Sequence, residues 1–108
     1  MAQGRFGNAI LTANTEATIY TVPANKYAVA SINIVNRDPL VSSKIRIALS
    51  NNASTQTSEY IEFDATLSAG GTVLERTGLS LGPSMNVRVY ATTSNVIASI
   101  YGIENNIF

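Results

Sequence analysis

The chain has 108 residues, seven Lys and Arg balanced by seven Asp and Glu, and neither Cys nor His. That length supports one core and one domain over residues 1–108; the cancelled charge sets up no field toward nucleic acid, an anionic membrane or an acidic ligand, and the missing Cys excludes disulfides and thiolate metal sites. Losing His as well removes the commonest general base and metal ligand, so the composition points away from catalysis and toward action through the surface.

Residues 1–8 lack the apolar run of a signal peptide and read as an N-terminal arm whose chemistry lies in Arg5 and Phe6. Short strands are expected at 9–12 and 17–22, and Pro23-Ala24-Asn25-Lys26 then supplies a Pro-led turn. The clearest strand covers 27–36, where Ala28, Ala30, Ile32 and Ile34 share an inward face and Val29, Ser31, Asn33 and Val35 share the other. Asn36-Arg37-Asp38-Pro39 breaks it, because a residue before Pro is held in extended or turn geometry. Alternation resumes at 44–49 with Ile45, Ile47 and Leu49 inward and Lys44 and Arg46 outward.

Residues 50–58 contain no large apolar side chain and read as an exposed loop with a mobile tip. At 59–64, Ile61 and Phe63 alternate against Tyr60, Glu62 and Asp64; a short helix competes here, since Tyr60, Asp64 and Leu67 also fall near helical spacing. Gly70-Gly71 turns the chain into weaker segments at 72–76 and 79–81, and Gly82-Pro83-Ser84 turns it again. The last strands are 86–92, with Val87, Val89 and Ala91 inward, and 95–104, with Val96, Ala98 and Ile100 inward. Ile97, Tyr101 and Ile103 occupy the opposite face of that last strand, so it is either central in its sheet or covered on one side by another subunit. Residues 105–108 form a C-terminal tail.

About eight short strands, spaced by polar turns, predict an all-β fold: an antiparallel β-sandwich, jelly-roll-like. No stretch approaches the roughly 20 apolar residues of a membrane helix, so no membrane partner is expected. Charged residues make up 13% of the chain against about 25% in average domains. Such a neutral, hydrogen-bonding surface costs little to desolvate and suits a protein covered by partners, although Thr and Ser are also simply good strand residues.

The motifs that resemble chemistry lack their context. Gly78-Leu79-Ser80-Leu81-Gly82 has the spacing of a nucleophile elbow, but that device needs a strand-to-helix turn and a His base. Glu62 and Asp64 alternate onto one strand face as a carboxylate pair or two oxygen ligands would, with no third ligand nearby, and read as a solvated face. Asn52-Ala53-Ser54 is a glycosylation sequon in form only, without a signal peptide to take it to the machinery. Lys44, Arg46 and Arg88, with Tyr90 on the same side, make a basic strip too small for nucleic acid. No catalytic residue, metal, cofactor or small-molecule substrate is expected. Large apolar groups do stand where a lone subunit would leave them wet: Phe6, Leu40 and Val41, and Ile107 and Phe108. Each is either a docking anchor or a cap folded back over an open end of the sandwich.

Ile19-Tyr20-Thr21-Val22-Pro23-Ala24, running through Lys26 into Ser31-Ile32-Asn33-Ile34-Val35-Asn36, forms one distinctive stretch; Glu75-Arg76-Thr77-Gly78-Leu79, running through Val87-Arg88-Val89-Tyr90-Ala91 to Tyr101-Gly102-Ile103-Glu104, forms another. Together they resemble small β-sandwich structural proteins of tailed bacteriophages, of the cyanophage and marine phage kind. The resemblance covers most of residues 16–104, on motifs that are short and largely structural. Family members usually have a Gly before the Lys where Asn25 stands here, and Asn also tolerates left-handed geometry. The resemblance implies a non-enzymatic virion protein made in the host cytoplasm, a head decoration (cement) protein or a tail, neck or fibre-attachment subunit, often a homotrimer. The expected partners are the major capsid protein or other virion proteins, through Arg5, Phe6, Leu40, Val41, Ile107 and Phe108. A small carbohydrate-binding or adhesion module stacking sugars on Tyr60 or Tyr90 is the alternative outside the virion frame, and a hydrolase using Glu62 and Asp64 a remote third.

Overall fold

In the computed structural model, which describes residues 3–106, β3 (Lys26–Asn36) follows the two-residue rhythm of its sequence. Ala28, Ala30, Ile32 and Ile34 are buried while Val29 stands in solvent on the other side. The remaining strands are β1 (Gln3–Ile10), β2 (Ala17–Thr21), β4 (Ser43–Ser50), β5 (Tyr60–Leu67), β6 (Val73–Leu81), β7 (Asn86–Ala91) and β8 (Val96–Asn106). They make two antiparallel four-stranded sheets, β1-β8-β3-β6 and β2-β7-β4-β5. Four pairs, β1 with β8, β2 with β7, β3 with β6 and β4 with β5, describe a single long antiparallel ribbon. Rolling that ribbon up brings β3 against β8 and β4 against β7, which is the topology of a jelly roll.

The expected inward residues meet between the sheets. Ile32, Ile34, Ile45, Ile47, Val87, Val89, Val96 and Ile100 lie wholly out of solvent, each such side chain contributing about 1.5–3 kcal/mol. Leu49 faces Val87 and packs on the same core from its half-buried rim. Two ties close the open sides of the sandwich. Phe6 stacks on Tyr20 with ring centroids 4.7 Å apart, and Arg76 of β6 pairs with Glu62 of β5.

Several expectations are corrected. The leading arm is a strand from Gln3 onward, because residues 3–10 complete the sheet alongside β8. Likewise the tail is strand as far as Asn106, while Ile107 and Phe108 lie outside the described residues. Segments 72–76 and 79–81 are one strand, β6, kinked at Gly78, whose φ of 70° fits glycine. The helix competing for 59–64 amounts to a 3-10 turn at Thr57–Glu59, after which β5 runs extended.

Register separates the inner strands from the outer ones. β3 pairs with β8 over eleven residues without interruption, and β4 with β7 from Ile45 to Ser50. Every outer strand is bulged: β1 between Arg5 and Gly7, β2 between Thr18 and Tyr20, β5 twice, and β6 opposite Ser31. Bulges bend and twist an edge, and so spoil it as a template for another chain's strand.

Candidate docking surfaces

Leu40 is 88% exposed, yet its loop is rigidly built. The buried Asn36 amide donates to the carbonyls of Val41 at 3.0 Å and Leu67 at 3.1 Å, and its Oδ1 accepts from the Asp38 amide. Asp38 in turn accepts the backbone N–H groups of Leu40 and Val41 and the side-chain amide of Asn95. Those donors hold the Asp38 carboxyl below its ordinary range, the Leu40 amide foremost. A short polar scaffold thus presents Leu40 and half-exposed Val41 to solvent at the end of the sandwich formed by the β1–β2, β3–β4, β5–β6 and β7–β8 connections.

The other anchor residues fall elsewhere. Arg5 sits on the outer side of β1 opposite Tyr101, toward the end of the molecule where the described chain starts and stops. Phe6 is half-buried and spends its ring on Tyr20 and the core, so it acts as a cap within its own subunit. A cap is one of the two readings the sequence leaves open for Phe6; what the sequence does not show is the partner ring, which comes from β2 beside its bulge.

The outer side of β2-β7-β4-β5 is covered over β7 and β4, while Ile61 and Phe63 of β5 remain exposed. Residues 51–58 fold down over it and bury Ala48, Ser50 and Arg88. Arg88 donates to Thr55 Oγ1 at 2.9 Å, to the carbonyl of Asn52 at 2.7 Å and to Thr18 Oγ1 at 3.3 Å. Glu59 gathers the Ser50 hydroxyl, the Asn52 side chain and the Gln56 amide, and with Ser50 as the leading donor its carboxyl lies below the usual range. The loop is exposed as expected, and it also lies as a lid over Arg88 of a neighbouring strand, so the basic strip is not free. Arg46 lies between the rings of Phe63 and Tyr90, 4.2 and 4.5 Å from their centroids, and binds Asp64 at 2.6 Å.

By contrast, the outer side of β1-β8-β3-β6 is bare. Val29, Tyr101 and Ile103 are exposed there, as are Ile10 and Val73 toward the other end. Nothing in the described part of the chain covers them.

The candidate chemistry dissolves on the same geometry. A bulge opposite Arg46 turns Asp64 outward to that guanidinium while Glu62 turns to Arg76, so the two carboxylates do not share a face. Ser80 lies within β6, one residue before its end and opposite Val29, without a strand-to-helix turn. Tyr60 donates to Glu16 and packs edge-on to Phe63, and Tyr90 donates to Asn14 while facing Arg46; neither ring is an open platform. Among the described residues there is no pocket, and no group of three or more acidic side chains is placed to hold a metal.

No family model matches the chain, and no curated protein does. Solved structures do match in fold. A pentameric capsid protein isolated from metagenomic phage sequences superposes with a TM-score of 0.50 at 14% identity over 92% of this chain, which spans 63% of that protein's length. A chain of the acid-stable capsid of Helicobacter pylori bacteriophage KHP30 superposes with a TM-score of 0.53 at 11% identity, covering 97% of this chain and 92% of that one. At such identities the likeness concerns the fold.

Proposed function

We propose that this protein is a non-enzymatic structural component of a tailed-phage particle that decorates the head, bridging neighbouring major capsid protein subunits and cementing them. The observation carrying the reading is end-to-end agreement of the jelly roll with a chain of similar size from a phage capsid. Support also comes from the side chains: Glu62 and Asp64 are spent on arginines, while Leu40 stands ready on a stiff loop. A protein that binds only the assembled lattice stabilises it by mass action, and self-association multiplies weak contacts through effective concentration. Leu40 and Val41 are the primary contacts in this reading, and Arg5, Ile107 and Phe108 are further contacts.

Copy number on purified particles tests it. Head decoration requires copies on the order of hundreds and binding of the isolated protein to empty heads, as lattice-wide occupancy demands. A few copies that purify with tails would make the chain a tail, neck or fibre-attachment subunit, and specific glycan binding with no particle association would make it an adhesion module. Deleting Ile107 and Phe108 is expected to leave folding intact and weaken shell binding.

A further inference from the structure

On the outer side of β1-β8-β3-β6, the two central strands read the same from either end. Along β8 the outward residues run Ile97, Ser99, Tyr101, Ile103; along β3, in the same direction across the sheet, they run Val35, Asn33, Ser31, Val29. Both central strands therefore present apolar, polar, polar, apolar. In register, Ile97 lies beside Val35, Ser99 beside Asn33, Tyr101 beside Ser31 and Ile103 beside Val29. We propose that this face is the interface with a second copy of the chain, related by a twofold axis that crosses the strands between the two polar rows. Such a rotation sets Ile97 on Ile103 of the second copy and Val35 on Val29, twice over, while polar row meets polar row.

Palindromy is the reason to choose a second copy over an unlike partner. An isologous contact must be complementary to itself, whereas a docking site for a different protein has no need to read identically in both directions. The edges do not compete for the role, since each outer strand is bulged. Nor does the opposite sheet, whose outer side carries the 51–58 lid and the Arg46 cluster. Charge agrees as well. The two central strands place only Ser, Asn and Tyr between the apolar rows; the charges on the face stand on the outer strands, Arg5 of β1 opposite Tyr101 and Glu75 of β6, which accepts the Tyr101 hydroxyl at 2.6 Å. With strands about 4.8 Å apart rising about 3.3 Å per residue, all four strands together span roughly 600 Å² per copy, so a pair reaches about 1,200 Å², the lower bound for a stable complex, only with β1 and β6 in the contact beside β8 and β3. This pairing does not depend on the virion reading. It departs from the trimer that the phage resemblance implies.

The full chain is examined by sedimentation equilibrium over a wide concentration range. A monomer–dimer equilibrium is expected. Val29→Ser or Ile103→Ser removes an apolar contact twice per dimer and should weaken association by about a hundredfold, with circular dichroism and the unfolding midpoint nearly unchanged because both side chains are exposed. Leu40→Ser, at the end of the sandwich, should leave association alone. The register has its own readout, since the chain holds no cysteine: Ile97→Cys and Ile103→Cys chains mixed and treated with a short bismaleimide should join to each other, and neither should join to itself. A folded monomer at every concentration, a trimer or pentamer, or cross-linking of Ile97→Cys to itself would each overturn the proposal. A monomer that still coats empty heads would overturn the pairing and leave the virion reading standing; a dimer absent from particles would do the reverse.

Discussion

Gly102 sits where β8 comes so near β3 that a methyl group has no room. A Cβ placed there would lie inside the carbonyl oxygen of Val29 and 2.7 Å from the Ala30 Cα, both backbone atoms of the longest uninterrupted pairing in the molecule. Gly102→Ala is therefore expected to lower stability by roughly 1–3 kcal/mol or more in urea titration, as overpacking does. Gly82→Ala is the control, with no atom within 4 Å of the added carbon. A second single-residue effect belongs to Tyr20, whose hydroxyl donates to the buried carboxylate of Glu104, itself 3.8 Å from the Lys26 ammonium. Burial first, then the hydrogen bond and charge of Glu104, raise the Tyr20 hydroxyl above its ordinary value of 10.0. Below that pH the phenol is protonated in both states. Above it the unfolded chain ionises first, so the stabilisation is lost as pH rises through the folded value. The unfolding midpoint should drop beyond pH 10, and Tyr20→Phe should drop less steeply over the same range, at the cost of a lower midpoint at neutral pH.

Among the elements, the 51–58 segment shows most clearly why a sequence of small polar residues is ambiguous. Nothing in Asn51-Asn52-Ala53-Ser54-Thr55-Gln56 needs burying, and taken alone the stretch reads as solvent-exposed loop. What needs covering is Arg88, a cation on another strand whose partners among the described residues are neutral oxygens of this loop and of Thr18. Arg88→Ala should cost about 1.5–3 kcal/mol, the worth of a hydrogen bond to a charged group, and open residues 51–58 to protease. Arg88→Lys should rescue neither effect, because an ammonium cannot reproduce the fork that reaches Thr55 and Asn52 together. The same distinction explains what else was legible. β3, β4, β7 and β8 stand out in the sequence because each keeps a strict alternation, and all four are inner strands with unbroken register. β1, β5 and β6 were misread or blurred because a bulge shifts the alternation midway: Phe6 turns in, Ile61 and Phe63 stay out, and Gly78 joins two apparent strands into one. The bulges that spoil an edge for pairing also erase the alternation from which strands are read.

For the whole molecule, the surface follows similar logic. Leu40 was visible as an anchor because a Leu directly after Pro39 in a turn has no core to join, but the stiffness of its presentation was not, since it arises from Asn36, Asp38 and Asn95, which come together only in the fold. The bare sheet was half visible, in that β8 is apolar on both faces; the matching order on β3 needs the register. An exposed leucine on a rigid loop should be unimportant for folding and decisive for binding, because its burial by a partner recovers hydrophobic free energy without the entropy cost of ordering the loop. Leu40→Ser is therefore expected to stay within about 0.5 kcal/mol of the parent in thermal unfolding, as surface changes do. Its affinity for empty phage heads should fall by roughly tenfold or more, since losing a buried Leu contact is worth about 1.5–3 kcal/mol. Asp38→Ala provides the matched test of presentation: it keeps Leu40 but removes the acceptor for the Leu40 and Val41 amides. It should speed hydrogen exchange at those two amides and weaken shell binding in the same direction. A Leu40→Ser protein that coats heads as well as the parent would move the contact to Arg5, at the other end of the molecule.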